Sequence, residues 1–472
     1  MVNKKVYLSV VTDQIDDNLD SILNAGREIG MMSKYGGGTS CYLGNIRPRG
    51  SVISTGGHAD GPVHYARIYD TVVDVCKQSE ARRGACAAYL PLEHPDIMEF
   101  LDIGTEGNPI QNLQYGVTVT NNWMEQMRAG DKDKRKIWAK VIQRRSEFGF
   151  PYIMFKDNSN DNSPYKEIGM EITASNLCSE IQLPTDTYNS FVCCLGSINL
   201  LHWDEIIKTD AIETYVFFLN AVMDEFIKKA EVKAGLKRAY NFAKDHRAIG
   251  LGVLGYHSLF QSKLIEFESL AAKQLNNHIF KHLKETSDAA SRWLYEHRGY
   301  RSLREGFANT TLMAIAPTKS SSFIHGAVSM GIEPIKSNYF IKDLAKSKTI
   351  YKNPFLECEL EKYGLNNKKT WDSILKKDGS VQHLDFPTKA VFKSFVEITP
   401  KELVLQAAQR QKYIDQSQSL NLMIHPSVPA KDINALYIYA YEEGVKTLYY
   451  QFSQSSAQAF SRNILDCASC EG

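Results

Sequence analysis

Short apolar runs that suit β-strands alternate along this chain with longer stretches of helical periodicity. Residues 6–11 form a strand-like run, and a helix is predicted from Asp17 to the glycines at 36–38. Further strands are predicted over 85–90, 115–120 and 312–317, and amphipathic helices over 135–150 and 205–230. This alternation predicts an α/β fold, although it does not count the strands.

Length and charge narrow the class of protein. The chain has 472 residues, 43% of them hydrophobic, which is enough for one large barrel or two to three smaller domains. The net charge of +1 gives no field that favours nucleic acid or a membrane, and no apolar run is long enough to span a bilayer. Nine cysteines are too sparse for a secreted disulfide scaffold. We therefore expect a soluble, cytoplasmic protein without nucleic-acid or membrane partners.

Residues 174–200 concentrate the polar chemistry of the chain. Asn176, Cys178 and Glu180 occupy alternate positions, so on an extended backbone their side chains would share one face. An amide can orient a hydroxyl, and a carboxylate can take a proton. A thiol between them can be a nucleophile, a metal ligand or a redox group. A buried cysteine between two solvated neighbours on an edge strand would give the same pattern.

Two runs in this stretch resemble the active-site finger loop of the large, catalytic subunit of class I (aerobic) ribonucleotide reductase. They are Ser-Asn-Leu-Cys-Ser-Glu-Ile at 175–181 and Val-Cys-Cys-Leu-Gly-Ser-Ile-Asn-Leu at 192–200. The resemblance implies that Cys178 becomes a transient thiyl radical that removes the 3′ hydrogen of a ribonucleotide. It also implies that Glu180 is the base at the 3′-hydroxyl and that Asn176 holds the substrate hydroxyls.

The resemblance implies a fold and a pair of redox cysteines as well. The fold would be a ten-stranded α/β barrel of two antiparallel halves, each of five parallel strands, with the finger loop in its centre. Cys193 matches one redox cysteine, and Cys194 matches none. The second redox cysteine of the family lies on the first barrel strand. Here that position is Val10, after Ser9, and no cysteine precedes Cys41.

Two hypotheses follow from Val10. In the first, the large subunit is split, and another polypeptide supplies an ATP-binding cone, the first strand and its cysteine. In the second, the chain is an inactive relic that binds only nucleotide or the small subunit. The intact downstream motifs favour the split enzyme. Residues 1–15 would then be a leader foreign to the family, residues 16–450 the barrel with a surface insertion at about 341–400, and residues 451–472 a flexible redox tail.

The resemblance also implies residues that bind the substrate. Ser9, Gly38, Leu177 and Ser179 would line the substrate site beside the trio described above. The diphosphate would bind where a strand runs into small hydroxyl residues before a helix, an arrangement that suits anions. The residues of this loop are Pro317, Thr318, Lys319, Ser320 and Ser321. An ordinary capped helix would explain the same loop.

A further set of residues matches the site of a deoxynucleotide effector at the interface between two large subunits. These residues are Asp17, Asn18, Leu19 and Arg47. An arginine fork suits a triphosphate. Gln78 and Arg82 match the specificity loop, which senses the effector base. A solvated glycine-rich loop and a basic turn would explain these segments without any ligand. The resemblance implies deoxynucleotide and ATP effectors and a dimer of large subunits.

Tyr449 and Tyr450 match a pair of tyrosines that passes a radical to the active-site cysteine. Taken alone, adjacent tyrosines are usually packing residues. The implied partner is a small subunit that carries a di-iron centre and a tyrosyl radical, and we expect no cofactor or metal on this chain. Cys467 and Cys470 form a C-x-x-C suited to thiol exchange with the active-site disulfide. Thioredoxin or glutaredoxin would then reduce this dithiol.

Other classes of protein account for parts of the pattern. A cobalamin-dependent reductase of the same fold would not need the two tyrosines. A thiol oxidoreductase could use the C-x-x-C, although a thioredoxin-like fold places that motif early, on a helix. Gly250, Gly252 and Gly255 fit G-x-G-x-x-G, but no convincing strand precedes them, so a dinucleotide site is disfavoured. This run instead resembles a glycine-bearing helix of the reductase.

Overall fold

The computed structural model of the chain describes residues 9–54, 56–76, 84–233, 235–344 and 347–453. The strands are β1 Ser9–Gln14, β2 Thr39–Tyr42, β3 Cys86–Pro91, β4 Gln114–Val119, β5 Tyr152–Phe155, β6 Phe191–Cys193, β7 Leu195–Asn199, β8 Gly250–Leu254, β9 Tyr339–Leu344, β10 Ser347–Lys352, β11 Leu422–Met423, β12 Thr447–Leu448 and β13 Gln451–Phe452. The helices are α1 Leu19–Lys34, α2 Pro62–Val75, α3 Ile97–Phe100, α4 Asn121–Ala129, α5 Lys132–Phe148, α6 Lys156–Asp161, α7 Pro164–Ile168, α8 Trp203–Ile206, α9 Ala211–Ala230, α10 Lys237–His246, α11 Tyr256–Ser262, α12 Leu270–Arg298, α13 Lys319–Ile324, α14 Pro354–Lys362, α15 Lys368–Lys376, α16 Pro400–Gln411 and α17 Ala430–Glu442. Short 3₁₀ helices span Leu200–His202 and Lys389–Phe392.

Helix α1 begins where its sequence offers a cap. The Asn18 side chain accepts the backbone N–H of Ser21 at 2.8 Å, which satisfies one of the free donors of the first turn. Ile22, Ala25 and Ile29 then fall on one buried face. The predicted helix is thus confirmed, and its N-terminus lies beside the end of β1.

The main sheet has seven strands in the order β12-β5-β4-β3-β2-β1-β6. Strands β1 to β5 are parallel to one another, whereas β6 and β12 lie at the two edges and pair antiparallel with β1 and β5. Parallel neighbours require crossover connections, which α1, α2, α3 and the pair α4–α5 supply. The predicted α/β class is therefore confirmed, with five parallel strands in one half of the fold.

A second set of parallel segments follows. Strand β7 pairs with β8, and single parallel bridges join Leu251 to Met313 and Ile315 to Gln418. The segments 195–199, 250–254, 312–315 and 416–419 therefore lie in sequence beside one another. The glycine-bearing run at 250–255 begins with β8, so the expectation of a helix there was wrong. A Cβ on Gly252 would lie 2.5 Å from the carbonyl oxygen of Ala314, and this close strand approach explains the glycine.

The two faces of the main sheet belong to different apolar clusters. One face packs against the outer helices through residues such as Cys41, Cys86 and Leu90. The opposite face presents Tyr42, Ala87 and Tyr89 to an inner cluster. Strand β2, which lies in a glycine-rich stretch that the sequence also allows as a solvated loop, is buried throughout. The inner cluster collects the residues on which the candidate site is built.

Residues 339–398 have an apolar cluster of their own. The hairpin β9–β10 is antiparallel, and α14 and α15 follow it. Leu356, Leu360, Trp371 and Phe392 form the centre of the cluster. The surface insertion predicted at about 341–400 thus contains ordered elements, and its standing as a separate unit stays a prediction. Among the helices of the described residues, none is long and apolar enough to cross a membrane.

Candidate active site

The finger loop is a tight turn and not an extended strand. Ser179 has a φ of 68°, in the left-handed region. Its N–H donates to the Asn176 carbonyl at 3.3 Å, and the Asn176 N–H donates to the Ile181 carbonyl at 3.2 Å. The expectation that an extended backbone aligns Asn176, Cys178 and Glu180 was therefore wrong. The turn brings the amide and the carboxylate together by closing the loop between residues 176 and 181.

Asn176 and Glu180 form a buried hydrogen-bonded pair. The Asn176 Nδ2 donates to Glu180 Oε2 at 2.9 Å, and its Oδ1 accepts the Ile181 N–H at 3.1 Å. Burial raises the pKa of the Glu180 carboxyl from 4.5 to about 7, and the hydrogen bonds from Asn176 and Ser419 partly oppose that rise. A carboxyl with a pKa near neutrality can both take and return a proton, which suits a general base.

Side chains and backbone groups of three other segments hold the loop. The four contacts, each from donor to acceptor, are Tyr89 Oη to the Asn176 carbonyl at 3.0 Å, Ser417 N to the Glu180 carbonyl at 2.9 Å, Ser419 Oγ to the Cys178 carbonyl at 2.6 Å, and Thr447 Oγ1 to the Ser179 carbonyl at 3.1 Å. Sequence reasoning assigned none of these residues to the site. The alternation Gln-Ser-Gln-Ser at 416–419 was the one available signal.

Cys178 and Cys193 both belong to the inner cluster. Cys178 is half-buried and packs against the inner cluster, whose buried members include Leu177 and Cys193. Burial, assisted by the nearby Glu180 charge, raises the pKa of the Cys193 thiol well above its usual value. Strand β6 pairs with β1 so that Ser9 lies opposite Cys193, and the register shifts between Ser9 and Val11. The backbone matched to the family's second redox cysteine therefore adjoins Cys193, and its residue is Val10.

Cys194 lies between β6 and β7 and packs on the opposite side from Cys193, in the outer cluster that joins the main sheet to the outer helices. Its thiol donates to the Leu219 carbonyl at 3.4 Å, and it belongs to the outer cluster. Burial raises the pKa of this thiol to about 12. Cys194 thus has the contacts of a packing residue, as its lack of a family counterpart leads one to expect.

Tyr449 and Tyr450 form an aromatic cluster with Tyr152. The ring centroids of the adjacent pair are 4.4 Å apart, and those of Tyr152 lie 4.7 Å from Tyr449 and 5.2 Å from Tyr450. Tyr449 is fully buried and Tyr450 is 9% exposed. The guanidinium of Arg145 donates to the Tyr449 carbonyl at 2.9 Å. The pair is therefore fixed inside the same cluster as Leu177, and Tyr152 is a ring that sequence reasoning missed.

The loop predicted to bind phosphate leads into α13 as expected, but the predicted strand over 312–317 is present only as isolated bridges at Met313 and Ile315. Thr318 has a φ of 51° and precedes α13. Its hydroxyl lies 2.9 Å from Ser322 Oγ and accepts the Gly331 N–H at 2.7 Å, so this side chain stabilises the conformation of the loop. The ammonium of Lys319 lies 5.9 Å from the centre of the Tyr450 ring. Pro317 is buried, whereas Ser320 and Ser321 are half-buried.

The predicted effector residues meet at the surface. Arg47 Nε lies 2.7 Å from Asp17 Oδ2, across 30 residues of sequence. Asn18 caps α1, Leu19 is 59% exposed, and Gly38 is buried directly before β2. The roles of these residues stay predictions. Gln78, Arg82, Cys467 and Cys470 lie outside the described residues.

The fold and the buried Asn176–Cys178–Glu180 loop define a class of enzyme, and comparison with known proteins agrees. The family described as "Ribonucleotide reductase, barrel domain" matches residues 8–135, 131–303 and 293–451. The chain belongs to this family, as a homologue of the large subunit. It is an oxidoreductase of the class that reduces ribonucleotides for deoxyribonucleotide synthesis.

Several individual proteins are similar over most of the chain. The ribonucleoside-diphosphate reductase large subunit of Invertebrate iridescent virus 3 is 31% identical, over 97% of this chain and 86% of that protein. The structure of the Actinobacillus ureae class Id ribonucleotide reductase alpha subunit is 50% identical, with a TM-score of 0.90, over 98% of this chain and 85% of that one. The vitamin B12-dependent ribonucleoside-diphosphate reductase of Thermoplasma acidophilum is 28% identical, over 90% of this chain and 58% of that protein.

Proposed function

We propose that this chain reduces ribonucleoside diphosphates by a thiyl-radical mechanism at Cys178. The observation that carries the proposal is the buried Glu180 carboxyl, which Asn176 binds at 2.9 Å in the turn that also presents the half-buried Cys178. A radical centre and a base are thereby held within one six-residue loop. The inner cluster keeps this loop largely out of bulk water, which protects a reactive sulfur radical from side reactions.

The proposed steps begin and end at Cys178. The Cys178 sulfur radical takes the 3′ hydrogen of the ribose and forms an S–H bond, which leaves a carbon radical. Glu180 accepts the 3′-hydroxyl proton, and a proton from one thiol of a dithiol lets the 2′-hydroxyl leave as water. The dithiol then delivers a hydrogen atom to C2′ and one further electron and becomes a disulfide, while Glu180 returns its proton to the 3′ oxygen. Return of the hydrogen from Cys178 to C3′ completes the deoxyribonucleotide and restores the sulfur radical.

Cys193 supplies half of the dithiol in this proposal. Val10 occupies the strand position next to Ser9, which lies opposite Cys193, so the second thiol must come from elsewhere. We infer that another polypeptide supplies it, as in a split large subunit. The alternative is an inactive relic that binds nucleotide or the small subunit only. The Asn176–Glu180 contact and the fixed tyrosine pair favour the active enzyme.

The radical is proposed to arrive through Tyr450 and then Tyr449. The order follows from burial, because Tyr450 retains some exposure and Tyr449 has none. The source would be a small subunit with a di-iron centre and a tyrosyl radical. A cobalamin-dependent mechanism is the alternative, since one relative has that description. The ring contacts of the pair, at 4.4 Å, favour the tyrosine route.

The proposals for substrate phosphate, effector, dimer and disulfide regeneration rest on the family resemblance and on where the residues lie in the fold. The substrate diphosphate is proposed to bind the 317–321 loop, and a deoxynucleotide effector the Asp17–Arg47 corner. Leu19, Leu23 and Val75 leave apolar surface exposed on α1 and α2, which supports a dimer of large subunits at this corner. We also propose the ten-stranded barrel, of which β1–β5 would be one half. The dithiol of residues 467 and 470, with thioredoxin or glutaredoxin, would regenerate the site.

The test is deoxyribonucleotide formation by defined mixtures. The chain with a class I small subunit is expected to complete no turnover, because it holds only one thiol of the dithiol. Sustained turnover should appear after addition of the polypeptide that carries the family's first barrel strand. Val10→Cys places a thiol on the strand that adjoins Cys193, so this variant should turn over without that polypeptide. Sustained turnover by the native chain and small subunit alone would contradict the split enzyme, and inactivity of every mixture would favour the relic.

A further inference from the structure

Ser419 faces two acceptors of the finger loop at once. Its hydroxyl lies 2.6 Å from the Cys178 carbonyl oxygen and 3.3 Å from Glu180 Oε2. The side chain is 2% exposed, so water does not compete for the contact. A serine hydroxyl has one hydrogen and two lone pairs. It can therefore donate to only one acceptor fully, and it can accept from a third group.

The segment that carries Ser419 also binds the tyrosine pair. The Tyr449 N–H donates to the Leu420 carbonyl at 2.9 Å, and the Tyr450 N–H donates to Asn421 Oδ1 at 3.1 Å. Two residues before Ser419, the Ser417 N–H donates to the Glu180 carbonyl at 2.9 Å. One short segment thus contacts the finger loop on one side and the backbone of both tyrosines on the other.

We propose that Ser419 is a positioning residue that couples the protonation of Glu180 to the backbone of Cys178. The inference rests on the proposed role of Glu180 as the base. While Glu180 is ionised, the Ser419 hydrogen is shared between the carboxylate and the Cys178 carbonyl. When Glu180 takes a proton it becomes a donor, so the Ser419 oxygen accepts and its hydrogen turns fully to Cys178. The backbone of the cysteine is then held most firmly after the substrate radical has formed, while the 2′-hydroxyl leaves as water.

The groups that face Glu180 allow its titration to be observed. Cys178 lies in the same loop, Tyr89 approaches from β3, and Cys193 approaches from β6. Burial raises the pKa values of both Tyr89 and Cys193, so these groups stay neutral near pH 7. The Asn176 amide does not titrate. A transition near pH 7 that is present in the native enzyme and lost in Glu180→Gln therefore reports Glu180, with Ser419 as its adjustable hydrogen-bond partner.

The test is a pH titration of the Glu180 carboxyl in the complete reductase. Isotope-edited infrared spectroscopy monitors the carboxyl itself, and kcat/KM monitors its effect on the reaction. Glu180→Gln identifies the infrared band. Ser419→Ala removes a donor to the carboxylate, so the transition and the acid limb of kcat/KM should both move up by roughly one pH unit. KM at high pH should change little, because Ser419 lies outside the phosphate loop. Ser419→Thr, which keeps the hydroxyl, should restore the native profile.

Ser417→Ala is the matched control. Ser417 is buried on the same segment, but its hydroxyl contacts Thr447 Oγ1 at 2.7 Å and not the carboxylate. Its variant should keep the native transition. A folded Ser419→Ala enzyme with an unmoved transition would overturn the inference, and so would an equal shift in Ser417→Ala. A titration that survives in Glu180→Gln would instead contradict the role of Glu180 as the base.

Discussion

The finger loop and the Asp17–Arg47 corner are both polar, yet their surroundings differ. In the loop, Asn176 and Glu180 are at most 2% exposed, and several fixed donors hold the backbone. At the corner, the Arg47 and Asp17 side chains are 38% and 35% exposed, and their 2.7 Å ion pair lies in contact with water. Burial therefore shifts the pKa of the carboxyl in the loop, whereas the exposed ion pair at the corner can exchange its partners.

The difference separates a site for chemistry from a site for exchangeable ligands. A buried carboxyl loses hydration, so its proton affinity rises towards neutrality and small contacts decide its state. An exposed pair contributes at most about 1 kcal/mol and can be opened by a competing phosphate at little cost. Substitutions in the loop should thus affect the reaction, whereas those at the corner should affect regulation.

The largest effect is expected from the loop itself. Cys178→Ser cannot form the thiyl radical, so product formation should cease. Glu180→Gln keeps the Asn176 neighbour but removes the base, and turnover should fall by roughly 10²–10⁴-fold. Product assays in the reconstituted complex would measure both losses. Glu106→Gln, at an exposed glutamate, is the control and should retain native turnover. A fall in turnover of less than tenfold in Glu180→Gln would contradict the view that the finger loop, and not the Asp17–Arg47 corner, carries the chemistry.

The adjacent cysteines should separate function from packing. Cys193→Ala removes a proposed reductant and should abolish sustained turnover. Cys194→Ala removes a thiol that contacts the Leu219 carbonyl, so turnover should persist while stability falls by about 1–2 kcal/mol. Turnover assays and urea unfolding of both variants would test this. Equal loss of turnover in the two variants would contradict their assignment to opposite faces.

Stability should depend on pH through Glu180. The folded-state pKa of about 7 exceeds the ordinary value of 4.5, so the folded chain binds this proton more tightly than the unfolded chain. The resulting stability is fully present below about pH 4.5 and is lost as the pH rises through 7, a change of about 3 kcal/mol. Urea unfolding at pH 5 and pH 8 should show this decline in the native chain. In Glu180→Gln the decline should be smaller by that amount.

The smallest effect on stability is expected at the corner. Arg47→Gln breaks the pair with Asp17, and the free energy of unfolding should change by less than about 1 kcal/mol because the pair is exposed. Deoxynucleoside triphosphate binding should nevertheless weaken, which calorimetry would measure. Arg49→Gln breaks a similar exposed pair with Glu99 and serves as the control. Equal losses of deoxynucleoside triphosphate affinity in both variants would contradict the proposed role of Arg47 in effector binding.

Local patterns predicted much of this molecule, and non-local contacts set the rest. Alternating strand and helix signals led to the α/β class and to a helix from Asp17, which the structure begins at Leu19. The alternation of Asn176, Cys178 and Glu180 led to the prediction that these residues share a site, but it assumed an extended backbone. In the structure a turn at Ser179, and not an extended strand, brings Asn176 and Glu180 together. Ser419 and Thr447 reach the loop from more than 200 residues away, so no local pattern could identify their partners. Strand β8 was predicted as a helix because the sequence does not show that Gly252 allows the close approach of the Ala314 backbone.

The most direct measurement is an experimental structure of the chain with a ribonucleoside diphosphate bound. We expect the Cys178 sulfur in van der Waals contact with C3′ and the Glu180 carboxyl within roughly 2.6–3.2 Å of the 3′-oxygen. A ribose bound with its 3′ carbon away from that sulfur, or with a hydroxyl partner other than Glu180, would contradict the proposed chemistry.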